Sequence, residues 1–234
     1  MNKKIKILEN MIRSEIQRQL SESDNSELSS YGISELKDGL TVDVIKKYFS
    51  WILKSKINGA ILGLNKSGLV WHGGTWERGT WYNGTWKDGI WKDGWWMNGI
   101  WKDGTWYAGT WYNGTWEYGT WKSGWWEKGT WSNGTWEDGT WEDGTWKSGI
   151  FDGGAWKLGT WSNGNWDGGN WYGGTWEDGS WKSGDWYNGL WKSGTWHDGT
   201  WHDGTWKSGT WKSGRWKRGM WKSPEPHPNK IKTF

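Results

Sequence analysis

The chain has 234 residues, among them 33 Trp and 39 Gly but only 30 Leu, Ile, Val and Phe together, and its formal net charge is +3. That shortage excludes an ordinary aliphatic core. The absence of Cys excludes a disulfide framework or a Cys-ligated zinc site, and no apolar run of ~18 residues is present to span a membrane. The small net charge and the large Trp surface separate the chain from disordered sequences, which combine low hydrophobicity with high charge. The basic start Met1–Lys6 is not followed by the apolar stretch of a signal peptide, so folding in the cytoplasm where it is made is expected.

Residues 1–24 read as an amphipathic helix. Ile5, Leu8, Ile12, Ile16 and Leu20 fall at three- and four-residue spacing and form one apolar stripe, a candidate docking or oligomerisation helix. The polar stretch Ser21–Glu27 interrupts it. Residues 25–69 read as a linker, a second helix and an N-terminal cap. The second helix is expected over Val42–Lys56, with Val44, Ile45, Tyr48, Phe49, Ile52 and Leu53 on one face and Asp43 in its first turn. Gly63, Gly68 and Gly73, already five apart, suggest a transitional first coil beneath that helix. The terminal segment 223–234 holds all three prolines and reads as an irregular end where pairing stops.

Between them, residues 70–222 repeat every five residues. Of the 31 positions from residue 71 to residue 221, 30 are Trp and one is Phe151, and Gly recurs without exception from Gly74 to Gly219. The consensus is Gly-Thr-Trp-x-(Asp/Asn/Ser). A helix would carry successive Trp around its axis, and a straight strand would put them on alternate faces, so each five residues must contain a turn. Trp-x-(Asp/Asn/Ser)-Gly supplies a four-residue turn and Thr-Trp a short extended piece. Chained together, these make coils that stack at the strand spacing, with Trp inward and Thr and x outward. A competing arrangement makes Asp-Gly and Asn-Gly the centres of hairpin turns in an antiparallel meander. It would expose a whole face of Trp unless a partner covered it.

Repeats such as Gly84-Thr85-Trp86-Lys87-Asp88 resemble those of the pentapeptide-repeat proteins, with Trp in place of the central Leu or Phe and Gly in place of the small residue. The resemblance covers about two-thirds of the chain and implies a mainly β fold, a right-handed four-sided β-solenoid preceded by a small α-helical segment. In that fold both positions face inward, and Trp plus Gly occupies roughly the volume of Ala plus Phe. Exceptions to the consensus bear on the count of sides. Of Gly73, Gly153, Gly168 and Gly173, three share one phase modulo 20, as do Val70, Ile90, Ile150 and Leu190; a 15-residue coil groups the apolar set about equally well but scatters the Gly set, so four sides, nearly eight coils and a rod of roughly 35–40 Å are expected.

No catalytic, metal or cofactor constellation emerges. His197-Asp198 and His202-Asp203 lie in adjacent repeats and should point from different sides. Glu137-Asp138 and Glu142-Asp143 read as solvated faces, and the glycines are turn residues without a nucleotide-binding motif. Trp95 and Trp125 stand out because they occupy the Thr position. With Tyr82, Tyr107, Tyr112, Tyr172 and Tyr187 at the x position, they form the candidate surface for binding. The last repeats are basic, from Lys207 to Lys222, with no acid in the repeats after Asp203, which reads as a solvated end coil or a contact for phosphate or an acidic partner.

The expected function is therefore non-enzymatic: a structural or interaction protein docked through residues 1–69 onto other proteins of an assembly, with a homo-oligomer possible. The Trp-Gly repeats and the helix around Leu8–Ile16 resemble accessory virion proteins of tailed phages, which implies a fibre, spacer or decoration in a virion. The alternative is a glycan-binding adhesin acting through the exposed Trp and Tyr. A DNA mimic that binds topoisomerases would need a strongly acidic rod, so nucleic-acid-like roles are disfavoured. A flat ice-binding Thr array is disfavoured by Asn165, Asp185 and Arg215 in the Thr positions.

Overall fold

In the computed structural model, residues 26–228 are described. The candidate docking helix of residues 1–24 lies outside them. Residues 26–30 are helical and lead into β1 (Ile33–Leu36), helix α1 (Val42–Tyr48) and a 3-10 turn at Ile52–Lys54. The long strands β2 (Lys56–Asn65) and β3 (Gly68–Arg78) follow. From Thr80 to Trp221 every strand is a two-residue piece ending in the repeat aromatic.

The short strands stack in parallel with an offset of 15 residues. Thr115 faces Ile100 on one side and Thr130 on the other, and Trp116 lies between Trp101 and Trp131. The repeat region is thus a parallel β-solenoid with three sides, not the four that the pentapeptide-repeat resemblance implied. It has about ten coils, and at one strand spacing each the rod is about 50 Å long. The parallel register rules out the antiparallel meander: β2–β3 is the antiparallel pair among the described strands. We call the faces first (Thr85–Trp86 to Met220–Trp221), second (Ile90–Trp91 to Thr210–Trp211) and third (Thr80–Trp81 to Arg215–Trp216). Strand β3 turns a corner, since Val70 pairs with Thr85 on the first face and Thr75 with Ile90 on the second.

Three sides follow from the corner. Each repeat Gly has a positive φ, 121° at Gly139 for example, which is closed to L side chains. A Cβ on Gly139 would lie 2.4 Å from the carbonyl oxygen of Gly124, one coil below. The glycines therefore stack backbone on backbone, and each corner can turn the chain through a third of a circle. The volume argument for Trp plus Gly is corrected accordingly: Gly serves as a corner more than as interior filler. The indole does run close by, with Cζ2 of Trp121 3.2 Å from where a Gly124 Cβ would stand.

The residue before the Gly secures that corner in two ways. Asp or Asn accepts the Gly N–H through its own Oδ1, as Asp143 does from Gly144 at 2.7 Å and Asn163 from Gly164 at 2.7 Å. Ser instead donates to the coil below, as Ser208 Oγ does to the Lys192 carbonyl at 2.7 Å. On each side two further backbone bonds tie coil to coil. Thr130 N donates to Gly114 O at 3.0 Å and Ser132 N to Trp116 O at 2.7 Å.

Inside, the aromatic rings fill the section. Trp101 and Trp116, on successive coils, stack at 4.7 Å and 6°; Trp101 and Trp106, on adjacent sides of one coil, meet edge to face at 6.0 Å and 74°. Both geometries suit the ring quadrupole, and each pair contributes roughly 0.5–1.5 kcal/mol beyond area burial. Every repeat aromatic from Trp71 to Trp206 is fully buried.

At the N-terminal end the segment of residues 42–56 holds a shorter helix than expected. Thr41 caps α1 by accepting from Val44 N, and the helix ends at Tyr48 so that the chain can turn Trp51 onto the rod. The Trp51 ring meets Trp81 edge on at 5.1 Å and Trp76 at 6.4 Å. Tyr48 is exposed beneath the Lys47 ammonium, correcting its place on the apolar face, whereas Ile45 and Ile52 are buried. The expected transitional coil at Gly63, Gly68 and Gly73 is instead the β2–β3 hairpin, whose turn is held by Ser67 N donating to Asn65 Oδ1. Strand β1 pairs in parallel with β2 and completes a small sheet covering the first coil.

Candidate binding surface

Because Thr, Trp and x alternate out, in and out, each face carries a Thr-position column and an x-position column. The 15-residue register decides which residues share them. Trp95 and Trp125 both fall in the Thr-position column of the third face, on either side of Thr110. Tyr82, Tyr112, Tyr172 and Tyr187 fall in the x-position column of the same face. Of the seven surface candidates, only Tyr107 lies elsewhere, on the second face.

Trp95, Tyr82, Tyr107, Tyr172 and Trp125 are exposed, Trp95 most at 56%, and Tyr187 lies at the border. Tyr112 is half-buried, not exposed, because it sits in register between Met97 and Glu127 and diagonal to both surface Trp residues. Two groups form. Towards the N-terminal end, Trp95 borders a shallow depression of about 150 Å3 with Arg78, Asp93 and Thr110, and the Lys157 ammonium lies 4.9 Å from the Trp125 ring. Nearer the C-terminal end Tyr172, Tyr187 and His202 form a ladder, with rings at 4.9 Å and 7°, then 4.5 Å and 21°. Exposed Met97 joins the first group and Tyr118 stands at a corner. The sequence reading passed over both, although grouping by 15 places Met97 between Tyr82 and Tyr112.

The x positions are less free than they look in sequence. Cations and carboxylates meet across successive coils, as in Lys92–Glu77 at 2.9 Å, Lys192–Glu177 at 2.8 Å and Lys157–Glu142 at 2.7 Å. The Lys92 hydrogen bond holds the Glu77 carboxyl below its ordinary range. Glu137 and Glu142 are thus ion-paired ladder members. His197 and His202 stand on different faces, as expected, and no cluster of three metal-ligating side chains exists among the described residues.

The residues expected to break the Thr columns belong to different faces: Asn165 to the second, Asp185 and Arg215 to the third. On the first face Thr115, Thr130, Thr145, Thr160 and Thr175 form an unbroken column. Its neighbouring x column alternates the charged Glu117, Lys147 and Glu177 with Ser132 and Ser162, so no flat hydroxyl array results.

Among the described residues no helix is long and apolar enough to cross a membrane. Comparison of the chain with protein-family models, with curated proteins and with solved structures returns no match.

Proposed function

We propose that the chain is a non-enzymatic structural and interaction element, a stiff rod docked through its N-terminal part that presents its third face to a partner. The observation that carries this reading is the unbroken 15-residue register from Val70 to Trp221, which gives a long, evenly hydrogen-bonded exterior. A fibre, spacer or decoration of a virion is a setting that suits such a rod. Deleting residues 1–24 should then abolish incorporation into the parent assembly; unchanged incorporation counts against docking through that segment.

A second reading is favoured by the gathering of Trp95 and Trp125 in one column. Two coils separate them, about 10 Å at strand spacing, and flat rings at that step offer stacking platforms to an extended glycan. A glycan array should give a hit that the double variant Trp95→Ala, Trp125→Ala loses. Silence on the array, or a hit indifferent to both substitutions, removes this reading. The basic C-terminal coil and the paired charges of the body argue against a DNA mimic, which would be expected to inhibit supercoiling by gyrase; no such inhibition is expected here.

A further inference from the structure

The two ends of the rod are finished differently. At the N-terminal end β2 pairs along β3, and Trp51 lies on Trp76 and Trp81. At the C-terminal end the last strands of the three faces, Thr210–Trp211, Arg215–Trp216 and Met220–Trp221, each pair only with the strand below. Their outer edges keep backbone groups that every earlier coil uses. Trp206 O, for instance, accepts from Lys222 N at 2.8 Å, whereas no strand among the described residues lies above Trp211 or Trp216. Trp211 and Trp221 are the repeat aromatics that are only partly buried.

The tail covers part of this end without adding a strand to it. Glu225 O accepts from Trp221 Nε1 at 2.8 Å, and the His227 ring lies edge on to Trp216 and Trp221. Pro226, in the register of a repeat Trp, has no N–H to offer a strand. Between this tail and the Thr210–Trp211 strand lies a cleft of about 380 Å3, lined also by Trp221, Pro224 and Glu225.

Charge shows what the edge lacks. Along the body, x-position cations such as Lys92, Lys102, Lys157, Lys182 and Lys192 meet a carboxylate one coil away, whereas Lys87 meets the His72 ring and Lys147 lies between Ser132 and Ser162. In the last coil, Arg218 meets Asp203 at 2.9 Å, and the exposed Lys217 meets the His202 ring at 3.2 Å without a carboxylate partner. Lys207, Lys212, Arg215 and Lys222 are exposed and have no carboxylate partner among the described residues. Lys207 is followed in its column by Lys222, and Lys212, Arg215 and Lys222 face no further coil among the described residues. Natural proteins seldom leave such an edge open, because it templates pairing with another chain.

From the open edges and the unanswered cations we infer that the C-terminal end of the rod is a docking site for an acidic extended segment of a partner protein, which adds as the next strand. Backbone hydrogen bonds to the free edge would supply affinity, and carboxylates beside Lys212, Arg215 and Lys217 would supply selectivity. A nucleic acid could answer the charge but not the strand edge. A second copy is disfavoured by charge, because the N-terminal cap carries six lysines against the four carboxylates Glu27, Glu35, Asp38 and Asp43, two of which already pair with Lys46 and Lys37.

The test uses the full chain and fluorescence anisotropy with a labelled peptide of alternating Glu and Thr or Val. Its counterpart with Lys for Glu and an N-methylated acidic peptide, which cannot pair on the methylated edge, serve as controls. The acidic peptide should bind at least tenfold more tightly than either control. The triple variant Lys212→Glu, Arg215→Glu, Lys217→Glu should lose at least tenfold in affinity, while Lys128→Glu with Lys147→Glu in the body should not. Circular dichroism should show both variants folded. Equal binding of the N-methylated peptide would reduce the site to charge alone and overturn strand addition. Absence of binding, or binding unaffected by the triple variant, overturns the proposal. A concentration-dependent dimer dispersed by the triple variant in sedimentation velocity would give the end to a second copy and also overturn it.

Discussion

Trp95 and Trp125 flank Thr110 in a single column of the third face, two coils apart, although thirty residues separate them in the chain. Neither contributes to the interior, where Trp96 and Trp126 are fully buried beside them. Returning both to the consensus, Trp95→Thr with Trp125→Thr, should therefore leave stability within about 0.5 kcal/mol. Denaturant unfolding checks this. A loss of several kcal/mol would mean that the exposed indoles brace the rod and that their exposure does not mark a contact surface.

The corner glycines should divide sharply by conformation. Gly139→Ala places a methyl in a left-handed backbone and against the Gly124 carbonyl, and should cost more than about 2 kcal/mol. Gly153→Ala, at the preceding turn position with its nearest neighbour at 3.4 Å, should be close to neutral. Equal effects in thermal unfolding would contradict the stacked-corner account.

Phe151 is the one non-Trp in the register, and the second-face column adjusts around it. It lies 5.6 Å from Trp136 and 4.2 Å from Trp166, where neighbouring pairs keep about 4.8 Å. Phe151→Trp restores the repeat and fills the space of the missing ring, so it should stabilise the rod by about 1 kcal/mol. A lower unfolding midpoint would show that the site is already full.

Glu77 should titrate below the usual 4.5, since the Lys92 hydrogen bond favours its charged form. A depressed carboxylate contributes above its unfolded value, and the contribution fades as pH falls through the folded value. In Lys92→Met, the carbon-detected titration of Glu77 should move back up, and the fall in stability below about pH 4.5 should become shallower. An unchanged titration would show that the ion pair does not persist in solution.

Three columns of nearly parallel indoles at 4.5–5.3 Å, as in Trp101–Trp116 at 4.7 Å and Trp126–Trp141 at 4.8 Å, should couple electronically. A strong couplet in the Trp bands of the circular dichroism spectrum is expected, lost in one cooperative step with the β signal. Absence of a couplet in the folded protein would contradict the stacking.

Much of the interior was legible because it is written at a fixed period. Five residues cannot keep Trp inward without a turn in each repeat, so a turn-bearing repeat with an inward Trp register followed from spacing, while the choice of parallel coils over an antiparallel meander came from the register of the structure. The short helix α1 was legible in outline. The β2–β3 hairpin was not, because Gly63, Gly68 and Gly73 repeat the spacing of the solenoid while serving another structure.

The number of sides was decided only by the tertiary structure. A period of five is compatible with three or four corners, and scattered exceptions such as Gly73, Gly153 and Gly173 shared a phase modulo 20 while lying on different faces. What chooses is the turn taken at each Gly, whose positive φ and close approach to the Gly one coil below are properties of stacked backbones. Once three sides close, the 15-residue register brings Trp95, Trp125 and four of the tyrosines to one face and leaves the last coil with an open edge and unanswered cations. The sequence determined what lies inside this protein; the angle at its corners determined what stands together outside.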